Sequence, residues 1–453
     1  MKLNKKLLAS GVLAATLVAG NAFGAVSSEE AAKLGASLTP VGAEKAGNGG
    51  EIPAWDGGLK QAPAGYNNDG IYLDPFASDE VKFTIDQSNV DEYADKLSAG
   101  QVAMIKKYDT YKIPVYQTRR TATYPEAIMD QTVENATTSE LVAGGNGIEN
   151  YQEGVPFPLP KEGVEAIWNH ITRYRGGSVQ RNVGQVTPTE NGAYSVVKFQ
   201  DEFTWRASLE DFDPAKDPNV LFYFKQAITA PARLAGNVLL VHDTLNQVAE
   251  ARRAWVYNAG QRRVRRAPQV AYDGPGTAAD GMRTTDNFDL FNGAPDRYNW
   301  EIVGKKEMYI PYNSYKLVDR SVSYDDIVKA GHINQDLARY ELHRVWHVRA
   351  TLKEGERHIY GQRDFFIDED TWQAAVIDHY DGRGELWRVA EAHAMQFYDV
   401  QVPWYAIETL YDLLSGRYLA LGLTNEENDP YTFGVSRSSR DYTPAALRRA
   451  GTR

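Results

Sequence analysis

The chain has 453 residues, with 60 acidic against 49 basic side chains, a net charge of −11 and no cysteine. That balance argues against a nucleic-acid binder, which needs a basic footprint to neutralise phosphates. The missing cysteines exclude disulfides, thiolate catalysis, cysteine metal sites and the lipid-modified cysteine of a bacterial lipoprotein. Apolar residues make up 43% of the chain, enough for a sizeable core, and 27 tyrosines with nine tryptophans favour β structure over a helical bundle.

Residues 1–25 read as a secretory signal: Lys2, Lys5 and Lys6 lead, Leu7 to Val18 is apolar, and small residues follow from Gly20 to Ala25. The cut falls after Ala22, Gly24 or Ala25 and takes the charge from −11 to −14, since three lysines and no acids are lost. The apolar run is too short to span a bilayer, so the expectation is a soluble periplasmic protein. Ser28-Glu29-Glu30 is the cap and first turn of a short helix ending at Gly35. Beyond it Pro40, Gly42, Gly47, Gly49-Gly50, Pro53 and Gly57-Gly58 keep the chain irregular. Residues 26–70 are therefore expected to be an arm that packs on a body formed by residues 71–453, with Trp55 as its anchor.

Apolar spacing predicts helices over 90–111, stopped by Pro114, and over 162–174, where Val164, Ile167, Trp168 and Ile171 form a stripe. From Tyr194 onward the pattern predicts strands over 193–203, 220–225, 238–244, 252–258, 262–267 and 300–309. More are predicted over 340–352, 357–367, 372–380, 386–400 and 416–423, with turn residues between them. Successive strands with short turns make an antiparallel meander, and about a dozen of them curl rather than stay flat. The fold class expected is mainly β (α+β): one large curved antiparallel sheet, an open half-barrel, with a few helices.

Residues 250–312 hold the densest chemistry. Arg252, Arg253, Arg262, Arg263, Arg265 and Arg266 reverse the local sign of an acidic chain and bracket a hairpin carrying Trp255 and Tyr257. A second aromatic strand carries Tyr298, Trp300, Tyr309 and Tyr312. Arginine joins a permanent charge to a face that stacks on rings. The candidate ligand-binding residues are therefore Trp255, Tyr257, Arg263, Arg265, Trp300 and Tyr309, with the two arginines at the mouth of an apolar cavity. Alternation sets a condition: Trp255 and Tyr257 share one face of their strand, Ala254 and Val256 the other. A plain structural role, with arginines paired to surface acids and aromatics filling a core, explains the same residues.

No catalytic, metal or cofactor motif stands out. His343 and His347 lack the glutamate of a zinc protease helix. On a strand they lie about 13 Å apart, too far to share an ion at about 2 Å. Asp364, Asp368, Glu369 and Asp370 do not have EF-hand spacing and read as a hairpin turn. No nucleophile elbow, Walker loop or dinucleotide fingerprint is present. No cofactor or metal is expected, and no enzymatic activity.

The order W-x-Y at 255–257, R-R-V-R-R at 262–266 and WEIVGKKEMYIPYN at 300–313 resembles the bacterial domain-of-unknown-function 1329 family. Residues 29–59, RYELHRVWHVRATLKEGERHIYGQRDFFIDEDTW at 339–372 and YDGRGELWRV at 380–389 are similar to the same family. That family is grouped with the LolA and LolB lipoprotein carriers. The resemblance implies a LolA/LolB-like curved sheet and a periplasmic carrier or chaperone for a hydrophobic, lipid-like ligand. It also implies partners, an outer-membrane barrel and an inner-membrane transporter of the resistance-nodulation-division type. Two other classes stay open: a structural or adaptor subunit of an envelope complex, and a periplasmic hydrolase.

Overall fold

The computed structural model describes residues 25–142, 144–216, 218–267 and 270–451. All of the stretch read as an export signal except Ala25 lies outside them. The helices are α1 (Ser28–Ala31), α2 (Ala99–Lys107), α3 (Glu126–Thr138), α4 (Gly163–Thr172), α5 (Tyr324–Ile327) and α6 (Pro444–Ala450). The first strands are β1 (Phe83–Ile85), β2 (Ile113–Val115), β3 (Glu140–Leu141), β4 (Ile148–Glu149), β5 (Ser178–Val186), β6 (Val197–Trp205) and β7 (Val220–Ala230). There follow β8 (Val238–Thr244), β9 (Arg253–Asn258), β10 (Arg263–Arg266), β11 (Tyr298–Pro311), β12 (Tyr340–Leu352) and β13 (Gln362–Asp368). The last are β14 (Ala374–Tyr380), β15 (Leu386–Phe397), β16 (Val402–Asp412), β17 (Tyr418–Leu423) and β18 (Tyr431–Phe433).

Sixteen of these strands make one curved, unclosed sheet, an open half-barrel. Its long path runs β11-β12-β13-β14-β15-β16-β17-β5-β6-β7-β8-β9-β10, every step antiparallel. β2 joins β12 through one parallel pairing, Tyr340 with Val115, and β18 lies along β5. Two strands consecutive in the chain, β10 and β11, thus end up on opposite edges of the sheet. The segment between them has to cross from one edge to the other.

Alternation decides the faces. On β6, Phe199, Asp201, Phe203 and Trp205 point to the inner face, where they join α4 and the crossing segment in the largest core. The outer face of β12–β17 carries a second core, closed by α2, β1, β2 and residues 317–338. A smaller outer core under β7–β9 is closed by α6. α4 lies on the inner face, as its apolar stripe predicts, with Trp168 wholly buried and its indole N–H bonded to the Gly145 carbonyl at 2.9 Å.

The helix expected over 90–111 is shorter. Ser98 and Gln101 form a capping box that starts α2 at Ala99, and residues 90–96 make two single 3-10 turns. The strand expected from 193 begins at Val197, because Thr189 and Ala193 close a turn. α3, β5 and β16 carry no periodic signal that reveals them. α3 buries only Thr132, Asn135 and Ala136. β16 is buried at all eleven positions and so shows no alternation.

The arm over residues 26–70 has little regular structure beyond α1. Trp55 is only half-buried, donating its indole N–H to Ala122 O at 3.0 Å. Stronger anchors come from the body. Arg120, paired through two nitrogens with Asp370 at 2.7 and 2.9 Å, also donates to the carbonyls of Glu44, Lys45 and Pro53. Trp372 donates to Val41 O at 2.9 Å. At Gly42 the backbone, at φ +96°, comes so close to Pro158 that a Cβ would sit 1.9 Å from its carbonyl oxygen.

Candidate functional site

The crossing segment, residues 270–297, is held to the inner face by buried charge. Asp286 accepts from Arg363 of β13 at 2.6 Å and lies 3.0 Å from His358. Asp289 is clamped by Arg175 at 2.5 Å and by Arg173. Burial alone would raise both carboxyls, but the cations overcome it and hold them well below the usual carboxylate range. Arg388 of β15 donates to the carbonyls of Gly281 and Met282. His170 of α4 accepts the Ala374 N–H on Nδ1, which places its proton on Nε2, 3.1 Å from the Asp289 carbonyl. Burial lowers its pKa to about 3, so the imidazole is neutral.

Between this segment and β5–β9 the inner face is less well filled. One cross-strand row runs Arg181, Asp201, Gln226, Leu239, Val256 and Arg265. Phe222, Phe224 and Val241 lie beside it. Phe288 of the crossing segment faces them, with two guanidinium groups over its ring: Arg283 at 5.3 Å and Arg181 at 5.8 Å. The crevice holds about 60 Å³ beside Arg283 and about 20 Å³ beside Arg181, the two parts sharing Phe222, Phe224, Phe288 and Asn292.

At the strand ends that carry the β5–β6 and β7–β8 turns lies an open groove of about 780 Å³, and Thr277 lines both it and the crevice. Val197, Ile228, Leu234, Val256 and Ala278 make the groove apolar, and the pair Arg417–Asp280 borders it. The open groove and the aromatic crevice that adjoins it at Thr277 are the candidate binding site.

The six residues singled out from the sequence are not brought together. Trp255 and Tyr257 point to the outer face under α6; Trp255 meets the ring of His242 at 4.8 Å, and Tyr257 is 1% exposed. Their strand neighbours Ala254 and Val256 take the inner face instead. Arg263 and Arg265 are exposed and pair with Asn258 and Val256, which line the groove, so register puts both arginines on the groove side. Trp300 packs in the inner core against Phe291 and Phe365. Tyr309 belongs to the outer core, against Phe83 of β1 and Tyr93.

Phe222, Phe224, Phe288, Arg181 and Arg283 do not stand out in the sequence as site residues. The alternation in 220–225 already put Phe222 and Phe224 on one face, but nothing local marked that face as the inner one. Among the described residues one group converges enough to hold an ion: His343, Asp368 and Asp370, ligand atoms within 4.8 Å. Each has a protein partner: Glu341 for His343, Tyr312 and Thr371 for Asp368, Arg120 for Asp370. Burial and the Asp370 charge push the Asp368 carboxyl up to about 7.

An uncharacterized protein of Pseudomonas aeruginosa is 68% identical over the full length of both chains. A crystal structure of a DUF1329 family protein from Desulfovibrio piger aligns with 13% identity and a TM-score of 0.41, over 60% of this chain and 92% of that one. A LolA superfamily protein from Nitrosomonas europaea aligns with 14% identity and a TM-score of 0.35, over 60% and 92%. Residues 84–448 match the family described as "Protein of unknown function (DUF1329)". The chain belongs to that family.

Proposed function

We propose that this protein is a periplasmic carrier for an amphiphilic, lipid-like molecule, taken up through the groove at the ends of β5–β9. The observation that carries this is an apolar groove of about 780 Å³ that adjoins, at Thr277, an interior crevice walled by phenylalanines. Burial of apolar surface, at about 25 cal/mol per Å², suits such a site to a hydrocarbon chain. This is also the class of function that the sequence resemblance to lipoprotein carriers implies. No helix among the described residues is long and apolar enough to cross a membrane. Loading and unloading are then tasks for the outer-membrane barrel and the inner-membrane transporter that the resemblance implies.

The test is native mass spectrometry of protein purified from its own periplasm, followed by organic extraction. A co-purifying amphiphile, lost when the groove is filled by Val256→Trp, supports the carrier. Protein that is free of amphiphile and does not bind added ones rules it out.

A further inference from the structure

Arg283 is 4% exposed, yet among the described residues it makes no side-chain hydrogen bond and has no carboxylate oxygen within 4.0 Å. An uncompensated buried charge is costly, and proteins retain one where something completes it. Its guanidinium lies over Phe288 and lines the crevice together with Thr277, which also lines the groove. The surroundings are cationic. Arg181 has one nitrogen, Nη1, without a partner, although its Nε is paired with Asp201. Arg252 is already matched by Asp243, and Arg173 and Arg175 by Asp289. Glu408, the carboxylate that acts most strongly on Arg283, is not in contact with it and is itself pushed up by burial to about 7. At neutral pH it supplies only part of a countercharge.

We infer that Arg283 receives the anionic headgroup of the ligand, with its apolar chain lying back along the groove. This rests on the carrier proposal and specifies its substrate class: an anion on a hydrocarbon chain, a carboxylate or a phosphate monoester. A planar guanidinium with free N–H donors takes either oxyanion through two hydrogen bonds. Neutral amphiphiles of the same chain length are discriminated against, because they leave the arginine unmatched.

The experiment compares oleate, oleyl alcohol and oleoyl lysophosphatidate on the full chain by displacement of a fluorescent fatty acid. The wild type should bind an anionic form about tenfold or more tighter than the alcohol. Arg283→Met should abolish that preference while keeping the alcohol's affinity, and Arg283→Lys should keep part of it. Oleate and lysophosphatidate preferred alike supports a general oxyanion site, and one strongly preferred identifies the headgroup. Thermal melting guards against misfolding: removing an unmatched buried charge should leave the Tm of Arg283→Met equal or higher. Equal binding of alcohol and anions by the wild type, or a preference that survives Arg283→Met, overturns the headgroup assignment and leaves the carrier standing. Failure of all three amphiphiles to bind overturns both.

Discussion

Arg363 and Asp286 meet 2.6 Å apart with almost none of either side chain exposed, one on the inner face of the sheet and the other on the segment that crosses it. Asp286→Ala removes the acid from both Arg363 and His358 and should cost about 3–5 kcal/mol. Denaturant unfolding gives the loss, and hydrogen exchange should show residues 276–292 opening first. A loss under about 1 kcal/mol would mean that the segment is held without this pair.

Asp378 accepts from Ser98 Oγ and the Gly100 N–H under α2, and burial pushes its carboxyl up to about 7 from an ordinary 3.8. A raised folded-state pKa means that the neutral acid stabilises below about pH 4. That stability is lost progressively as pH rises to about 7. Asp378→Asn lacks this dependence, so its stability relative to wild type should improve by a few kcal/mol between pH 4 and 7. Parallel curves across that range would show an unshifted carboxyl.

Tyr257 and Trp255 hold α6 to the outer face, where the Tyr257 ring lies against Gly451 so closely that a Cβ there would come within 2.3 Å. Tyr257→Ala should lower stability by about 3–5 kcal/mol and expose 444–451 to proteolysis. Amphiphile binding at 25 °C should be unchanged, and a selective loss of binding would return these rings to the site.

Val256 lines the groove and faces away from α6. Val256→Trp should lower oleate affinity about tenfold or more, with stability within about 0.5 kcal/mol of wild type. The control for folding is the near-ultraviolet circular dichroism spectrum, read alongside the melt.

Arg263 and Arg265 are exposed on the groove side. Their double alanine variant should slow the association of anionic amphiphiles at low salt, with the difference vanishing near physiological ionic strength. A changed dissociation rate would instead indicate direct contact with the bound molecule.

Strand positions were legible where the residue types on the two faces differ, as in β9, where alternation separates the aromatic Trp255 and Tyr257 from the smaller Ala254 and Val256. Which face is inward was not legible, because it depends on α6, a seven-residue helix nearly 200 residues downstream. Residues 270–297 lie between two expected strands and are rich in glycine, proline and aspartate, with no periodic apolar pattern. They become core only because β10 and β11 lie on opposite sheet edges, a relation no local pattern encodes. Arg283 stands in sequence among aspartates, but the fold takes the nearby Asp286 and Asp289 to Arg363 and Arg175.

The join between β5 and β17 also governs how the sheet is assembled. β6 follows β5 almost at once, but Ala420 reaches its partner Val186 only after about 230 further residues have been made. Until then one edge of β5 keeps its N–H and C=O groups unpaired, a template for mispairing. Contacts of such separation also form slowly. α4 and residues 270–297 are both synthesised before β17, so the interior can be filled before its wall is complete.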